Sequence, residues 1–223
     1  MSKYNKVSQE DEDSFSRKPP LGFSVKQNTS HCFQVHINTD IYGAEHYSQI
    51  FDLLLEAGEE DTVQFFIESA GGDMAGLNTL LEGIKMTDAY VVAVIVGQAH
   101  SCASLLALSC HDVIVCDGAE MLCHGVRSGM IGKLADIEAW SEHTKKVANR
   151  LLQETYTGFL LPQEISEIQQ GRELWLDADQ IRDRLEQRAK YFTEGLTKED
   201  NAEAERTPDV QPQERRSKSK KVQ

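Results

Sequence analysis

The 223-residue sequence predicts an α/β fold in which a mostly parallel sheet is covered by helices. Two observations carry this prediction. Short runs that are apolar throughout, as expected of strands buried on both faces, alternate with longer runs whose apolar residues recur at helical spacing. The sequence contains neither an internal repeat nor the phosphate-binding pattern G-x-x-x-x-G-K-S/T, so it lacks the signature of a P-loop enzyme.

The individual elements follow from these patterns in chain order. Apolar runs predict strands at 35–38, 63–67, 90–96, 113–116 and 121–123, with a short apolar piece at 174–176. Helical stripes predict helices at 47–55, 74–84, 99–110 and about 133–159. Gly97 is expected to end the third strand, and Pro162 to break the long helix and begin another. Asp177 or Asp179 is the expected cap of a last helix through Ala189.

Both ends of the chain are expected to lie outside the packed core. Residues 1–30 are polar and charged, with prolines at 19 and 20, and are interpreted as mobile or extended. After Phe192 the apolar content falls, which predicts a disordered tail over 193–223. The last nine residues are basic and are interpreted as solvated, with a small docking tail as the alternative.

Composition excludes several classes of function. The net charge of −13 argues against a general nucleic-acid binder, which would carry a basic face. No apolar run approaches the ~18 residues of a membrane span, and the N-terminus lacks the apolar centre of a secretory signal. Five cysteines at irregular gaps, without a C-x-x-C pair, predict neither a disulfide framework nor a structural zinc site. We therefore expect a cytoplasmic protein that binds no nucleic acid, membrane, metal or cofactor.

Three places at strand ends or helix starts are candidates for chemistry, because ligands of α/β folds bind there. Gly71 and Gly72 would let the backbone approach a ligand, unless they form an ordinary strand-to-helix turn. Ser101 would open a helix, where partial positive charge favours a developing oxyanion, unless it serves only close helix packing. His124 closes a strand and would exchange a proton with a serine, unless it is a structural histidine. His100 is a poor base for Ser101, since adjacent helical residues do not face each other.

A serine–histidine pair also needs a carboxylate that orients the imidazole. Glu173, Asp177 and Asp179 are the candidates that follow the long helix. Glu173 is favoured because the apolar residues 174–176 follow it directly, which predicts a half-buried position.

Taken together, these segments resemble the proteolytic subunit of the Clp ATP-dependent protease, the ClpP family, over roughly Phe33 to Ala178. FFIESAGGDMAGL is similar to that family's strand, S-P-G-G turn and helix, and VIVGQAHSCASLLAL is similar to its nucleophile segment, with the serine at Ser101. MLCHG resembles its histidine segment, with the base at His124. GKLADIEAW resembles the start of its handle helix, and GRELWLDA the segment of its acid, here Glu173.

The resemblance implies a serine-type endopeptidase with repeated β-β-α units of the ClpP/crotonase kind and a protruding handle over about 127–159. Ser101 would be the nucleophile, with backbone N–H groups of Gly72 and Cys102 as oxyanion donors. Gly71, Gly125 and Val126 would contact the substrate. The peptidase domain would span 31–192, preceded by a flexible or pore-proximal segment.

The resemblance also implies an assembly. Family members form two stacked rings around a chamber, and an AAA+ unfoldase feeds unfolded polypeptide through the pore. The long helical stripe from 133 to 159 would then bury its apolar face against another subunit. A homo-oligomer in one or two rings, with an AAA+ partner, is therefore expected.

The chain departs from the family pattern at several positions. Ala70 replaces the proline of the turn, Ala103 replaces a glycine after the nucleophile, and Gly125 and Val126 follow the histidine in place of glutamine and proline. The acid is glutamate instead of aspartate, and Gly171 replaces an aspartate of the ring-to-ring switch. These departures keep open an inactive ring or shell subunit. A crotonase-like enzyme that holds a thioester oxyanion ranks last, because crotonases lack the ordered serine, histidine and acid.

Overall fold

A computed structural model describes residues 29–204 of the chain, with side chains through residue 195. The strands are β1 (Cys32–Ile37), β2 (Thr62–Ser69), β3 (Tyr90–His100), β4 (Asp112–Val115), β5 (Glu120–His124) and β6 (Glu173–Asp177). The helices are α1 (Ser48–Glu56), α2 (Met74–Met86), α3 (Cys102–Ser109), α4 (Leu134–Tyr156), α5 (Pro162–Gln169) and α6 (Ala178–Ala204), with a 3-10 turn at Ala44–His46. The expectations for residues 1–28 and 205–223 fall outside the described residues.

The strands form one sheet whose order is β1-β2-β3-β5-β6, with β4 beside the first half of β3. All neighbours are parallel except β5 and β6, which are antiparallel. The predicted α/β class, with a mostly parallel sheet covered by helices, is therefore confirmed. Burial on both faces holds for β3, where residues 91–95 are all buried, whereas β2 alternates between buried and partly buried positions.

The third strand does not end at Gly97 as predicted. Residues 92–95 of β3 pair with β4, and residues 98–100 pair with β5. The register with β2 also shifts over the same stretch, so β3 contains an irregularity of the β-bulge type at 96–98. Gly97 lies at this bulge, where the strand changes its partner and continues to His100.

Two helix starts also differ from the prediction. The helix expected from residue 99 begins only at Cys102, because residues 98–100 remain hydrogen-bonded in the sheet. The handle helix begins at Leu134, and residues 127–133 precede it without regular structure. Ser101 therefore lies between a strand and a helix.

The last helix is longer than predicted. Asp177 caps it, since its Oδ1 accepts a hydrogen bond of 2.9 Å from the Gln180 amide. The helix runs through Ala204, past the expected end at Ala189 and past residue 193, where a disordered tail was expected to begin. Arg182 of this helix binds the carbonyl of Val115 at 3.0 Å, and Arg188 binds that of Leu108 at 2.8 Å. These side chains tie α6 to the core.

The core positions the segments that carry the candidate site. Helix α3 is buried along nearly its whole length, which explains why it lacks a polar face. Helix α4 buries only its second half, at Ala148, Leu152, Thr155 and Tyr156. No helix among residues 29–204 has the length and apolar character to cross a bilayer.

Candidate active site

Ser101 occupies a strained turn between β3 and α3. Its φ of 55° makes it the one non-glycine residue with positive φ in the described part of the chain. Such a conformation costs on the order of 1–3 kcal/mol and is characteristic of active sites. The Ser101 amide donates to the Leu122 carbonyl at 2.9 Å, so β5 holds the turn beside its own end.

Gly71 packs directly behind Ser101. A Cβ atom at Gly71 would lie 2.6 Å from both the Ser101 Cβ and the His100 carbonyl oxygen, so no side chain fits there. The Gly71 amide donates to Ser69 Oγ at 3.1 Å, and its carbonyl accepts from the Ile41 amide at 2.7 Å. The geometry therefore supports a spacer role for Gly71, which was expected to contact the substrate.

The two expected oxyanion donors lie on the same side of this turn. Ile41 bonds to the residues on either side of Gly72, at Gly71 and Asp73, so the backbone groups of Gly72 point the other way. On that side the Gly72 carbonyl accepts a hydrogen bond of 3.1 Å from Cys102 Sγ. The Cys102 amide is the first of helix α3 and has no acceptor within the helix. Both N–H groups are thus placed near Ser101.

The Cys102 thiol fills the space between these donors. Burial raises the pKa of this thiol, although hydrogen bonds involving the Gly72 backbone and the Ser101 hydroxyl act in the opposite direction. The thiol therefore stays protonated near neutrality and donates to the Gly72 carbonyl.

His124 ends β5, next to the strand end that carries Ser101. Its Nδ1 lies 2.6 Å from the Gly125 carbonyl oxygen. Because a carbonyl oxygen only accepts, this bond requires the proton on Nδ1 and leaves Nε2 of the neutral ring as an acceptor. That tautomer is the one a general base for a serine hydroxyl needs. Among the described side chains, however, no hydrogen bond joins Ser101 to His124.

Glu173 lies opposite His124, since the two residues are register partners in the antiparallel β5–β6 pair. Side chains of such partners project on the same face of the sheet, with Cβ atoms roughly 4.5–5.5 Å apart. The Glu173 carboxylate nevertheless pairs with Arg127, whose side chain is 78% exposed. Glu173 itself is 37% exposed, so it is less buried than the sequence predicts.

The other candidate residues have roles elsewhere. Asp177 caps α6, and Asp179 forms an ion pair with Arg182 at 2.8 Å. His100 is buried; its ring meets the Trp175 ring edge-on at 5.1 Å, and its Nε2 lies 3.1 Å from Glu120 Oε1 without hydrogen-bond geometry. Neither aspartate nor His100 is bonded to Ser101 or His124.

A buried chain of hydroxyl groups supports the turn from behind. Ser104 Oγ donates to the Ser101 carbonyl at 2.7 Å and lies 2.8 Å from the Tyr156 hydroxyl. Since the Ser104 proton is engaged, the Tyr156 hydroxyl must be the donor between them. Burial raises the pKa of Tyr156 well above its usual value, which keeps this donor protonated. The handle helix is thereby bonded to the nucleophile turn.

A cavity of about 380 Å³ opens beside His124. Its walls are the segment 124–128, one face of α4, the turn 168–171 and Glu173. Gly125 and Val126, both expected to contact a substrate, lie in this wall. The cavity places a binding space next to the imidazole.

Sequence reasoning missed several residues of this region. Arg127, Tyr156 and Lys145 had no role assigned, although each contacts the candidate triad, supports it or lines the cavity. Ser141, Lys145 and Asn149 recur at intervals of four on α4, which is a visible sign of one helix face. The pattern does not reveal which neighbour that face meets.

The described residues include no group of three or more His, Cys, Asp or Glu side chains able to hold a metal ion. The chemistry available here is therefore that of a serine hydroxyl, an imidazole and backbone donors.

Comparison with known proteins places the chain by family. A family profile described as Clp protease matches residues 27–184, well over half of the chain. No curated protein matches the chain significantly. The matched range includes β1 to β6 and ends within α6.

Proposed function

This chain belongs to the Clp protease family, and on that premise we propose that it is a serine-type endopeptidase with Ser101, His124 and Glu173 as its triad. The observation that carries the proposal is the strained conformation of Ser101, beside the end of the strand that bears His124 and beside the amides of Gly72 and Cys102. Strain of this kind persists only where the surrounding structure enforces it.

The proposed reaction divides peptide hydrolysis into two steps. The Ser101 oxygen attacks the peptide carbonyl carbon while His124 Nε2 takes the hydroxyl proton. The oxygen–carbon bond forms, the carbon–nitrogen bond breaks, and His124 returns the proton to the leaving amine. A water molecule then hydrolyses the acyl-enzyme, with His124 again accepting and returning a proton. Amides of Gly72 and Cys102 donate to the oxyanion in both steps.

Two groups are available to orient the imidazole. The Gly125 carbonyl accepts the Nδ1 proton at 2.6 Å. Glu173 faces His124 across the strand pair and would stabilise the imidazolium once its carboxylate leaves Arg127. We assign Glu173 this role because a carboxylate stabilises positive charge more strongly than a carbonyl does.

The same family membership supports an oligomer. Members of the Clp protease family form rings, and this chain carries an exposed apolar stretch where α4 begins. Ile131 is fully exposed, Leu134 is 86% exposed and Val147 is 44% exposed. Apolar side chains on a projecting helix favour burial against another copy. We therefore propose a ring or double ring in the cytoplasm that encloses the site, receives unfolded chains from an AAA+ partner and uses no ATP itself.

Fluorophosphonate labelling tests the proposed nucleophile. The wild-type protein should be labelled, and Ser101→Ala should not. Ser109→Ala is the matched control, because Ser109 lies at the far end of the same helix and bonds the Leu105 carbonyl at 2.8 Å. Equal labelling of the wild-type and Ser101→Ala proteins would exclude Ser101. Sedimentation at micromolar concentration should show a species far heavier than the 25.0 kDa monomer.

One observation favours a second function, an inactive ring or shell subunit. Glu173 bonds Arg127 instead of His124, and no described hydrogen bond links Ser101 to His124. A purified assembly that forms rings but neither reacts with a fluorophosphonate nor cleaves peptides would establish this alternative.

A further inference from the structure

The cavity beside His124 has the dimensions of a side-chain pocket. Its volume of about 380 Å³ corresponds to roughly a dozen water molecules at ~30 Å³ each. Buried Ala148 and Ile168 contribute apolar surface, and the segment after His124 forms the opposite wall. A substrate chain that presents a carbonyl to Ser101 would have a neighbouring side chain within reach of this space.

The charged lining of the cavity is predominantly positive. Arg127 and Lys145 supply two cations, and Glu173 supplies the one carboxylate. Glu173 already pairs with Arg127, so that pair is close to neutral. Lys145 takes part in none of the described ion pairs, and it faces the cavity from α4. One positive charge in the lining is therefore uncompensated.

The neutral polar groups add hydrogen-bonding capacity around Lys145. Asn149 lies one turn further along the same face of α4 and is partly buried. Gln169 lies across the cavity, where its amide nitrogen donates to the Asn149 backbone carbonyl at 3.3 Å. Filling the space with an aliphatic side chain would remove water from these amides without replacing its hydrogen bonds, which is unfavourable.

We infer that this cavity selects substrates with an acidic side chain, Asp or Glu, next to the scissile bond, and that Lys145 pairs with the substrate carboxylate. The inference rests on the proposed peptidase function and names its substrate class. A carboxylate held by an ammonium group and one or two amide donors forms charge-assisted hydrogen bonds, the strongest kind available here. The ring of Trp140 and the Ala148 methyl group would contact the methylene groups of a Glu side chain.

Binding to the Ser101→Ala protein tests the inference without requiring turnover. The probes are fluorescent peptides that differ at one position only, with Glu, Gln or Leu before the scissile bond. We expect the Glu peptide to bind about three- to tenfold more tightly than the other two, the scale of one partly exposed charged pair. The preference should decline as ionic strength rises, because salt screens such a pair.

Lys145→Met in the same background should abolish the preference for Glu, and Lys145→Glu should transfer it to a Lys peptide. Lys146→Met is the matched control, since Lys146 is the neighbouring exposed lysine and does not line the cavity. Equal or weaker binding of the Glu peptide by the Ser101→Ala protein, or a preference that survives Lys145→Met, would overturn the inference.

The outcome is separable from that of the proposed function. If Ser101 is labelled by a fluorophosphonate but Glu peptides are not preferred, the peptidase proposal stands and the substrate class is wrong. If Ser101 is not labelled but the Lys145-dependent preference is found, the cavity binds acidic peptides in a protein that does not cleave them.

Discussion

Glu173 and His124 are direct partners across the β5–β6 pair, yet each is bonded to another group. The carboxylate pairs with Arg127, and the imidazole Nδ1 bonds the Gly125 carbonyl. The site thus contains the expected acid and base side by side, with the acid held by a cation from the segment after β5. Arg127 controls the availability of Glu173.

Arg127→Gln should raise the rate of fluorophosphonate labelling at Ser101 about three- to tenfold. Removing the guanidinium frees the Glu173 carboxylate to accept from His124, which makes the imidazole a stronger base. Arg150→Gln is the control, because Arg150 pairs with Glu154 on the exposed part of α4. A slower rate in Arg127→Gln than in the control would show that Arg127 supports the site.

The strain at Ser101 predicts an unusual order of stabilities. Ser101→Gly should exceed Ser101→Ala in free energy of unfolding by about 1–2 kcal/mol, because glycine adopts a φ of 55° without steric cost. The Ser101 side chain makes no capping bond, so neither substitution loses one. Urea denaturation at a fixed protein concentration measures the difference.

The control for this comparison is an exposed position in the middle of α4. Ala139→Gly should lower the free energy of unfolding by about 0.5–1 kcal/mol, the opposite sign, because glycine disfavours a regular helix. A Ser101→Ala protein as stable as Ser101→Gly would show that the turn is not strained.

The buried hydroxyl pair predicts non-additive losses of stability. Tyr156→Phe should cost about 1 kcal/mol, since Ser104 can still donate to the Ser101 carbonyl. Ser104→Ala should cost more, about 1–3 kcal/mol, because it leaves the buried Tyr156 hydroxyl without its partner. The double variant should be less destabilised than the sum by at least ~0.5 kcal/mol. Strict additivity in urea denaturation would contradict the bond.

The ion pair between Glu164 and Arg184 predicts a dependence of stability on acid. Both of its hydrogen bonds are 2.8 Å long, and the Arg184 guanidinium holds the pKa of Glu164 below its usual value. A lowered pKa in the folded state means that the stabilisation is present above the unfolded pKa and is lost as the pH falls through the folded pKa. Glu164→Gln should therefore be about 1 kcal/mol less stable at neutral pH.

The two proteins should converge in free energy of unfolding below about pH 4, where the wild-type carboxyl group is protonated in both states. Glu154→Gln is the control and should change little at any pH, since its pair with Arg150 is exposed. A constant difference between wild type and Glu164→Gln across the whole range would exclude this linkage.

Much of the fold could be predicted because its signals are local. Apolar runs reveal buried strands, and the residues that follow them lie at one edge of a parallel sheet, so Ser101 and His124 could be expected to approach each other. The bond between Glu173 and Arg127 could not be predicted, because it depends on the path of residues 125–133, which have no regular period.

Two further differences have long-range causes. Gly97 indicates a strand end when its neighbours alone are considered, but β3 continues because β5 offers a new partner beyond it. The region after Phe192 is poor in apolar residues, which predicts disorder. The same region continues a helix that is tied to the core through Arg182 and Arg188, and contacts with Val115 and Leu108 cannot be derived from composition.

The bulge at 96–98 divides β3 into two hydrogen-bonded ladders of unequal size. Residues 92–95 are paired on both flanks, whereas the three residues that lead into Ser101 are paired mainly with β5. Amide protons of the first ladder should exchange with deuterium only when the whole molecule unfolds, and those of 98–100 through a smaller opening of lower free energy. The nucleophile turn can therefore loosen and reseat while the centre of the sheet stays closed.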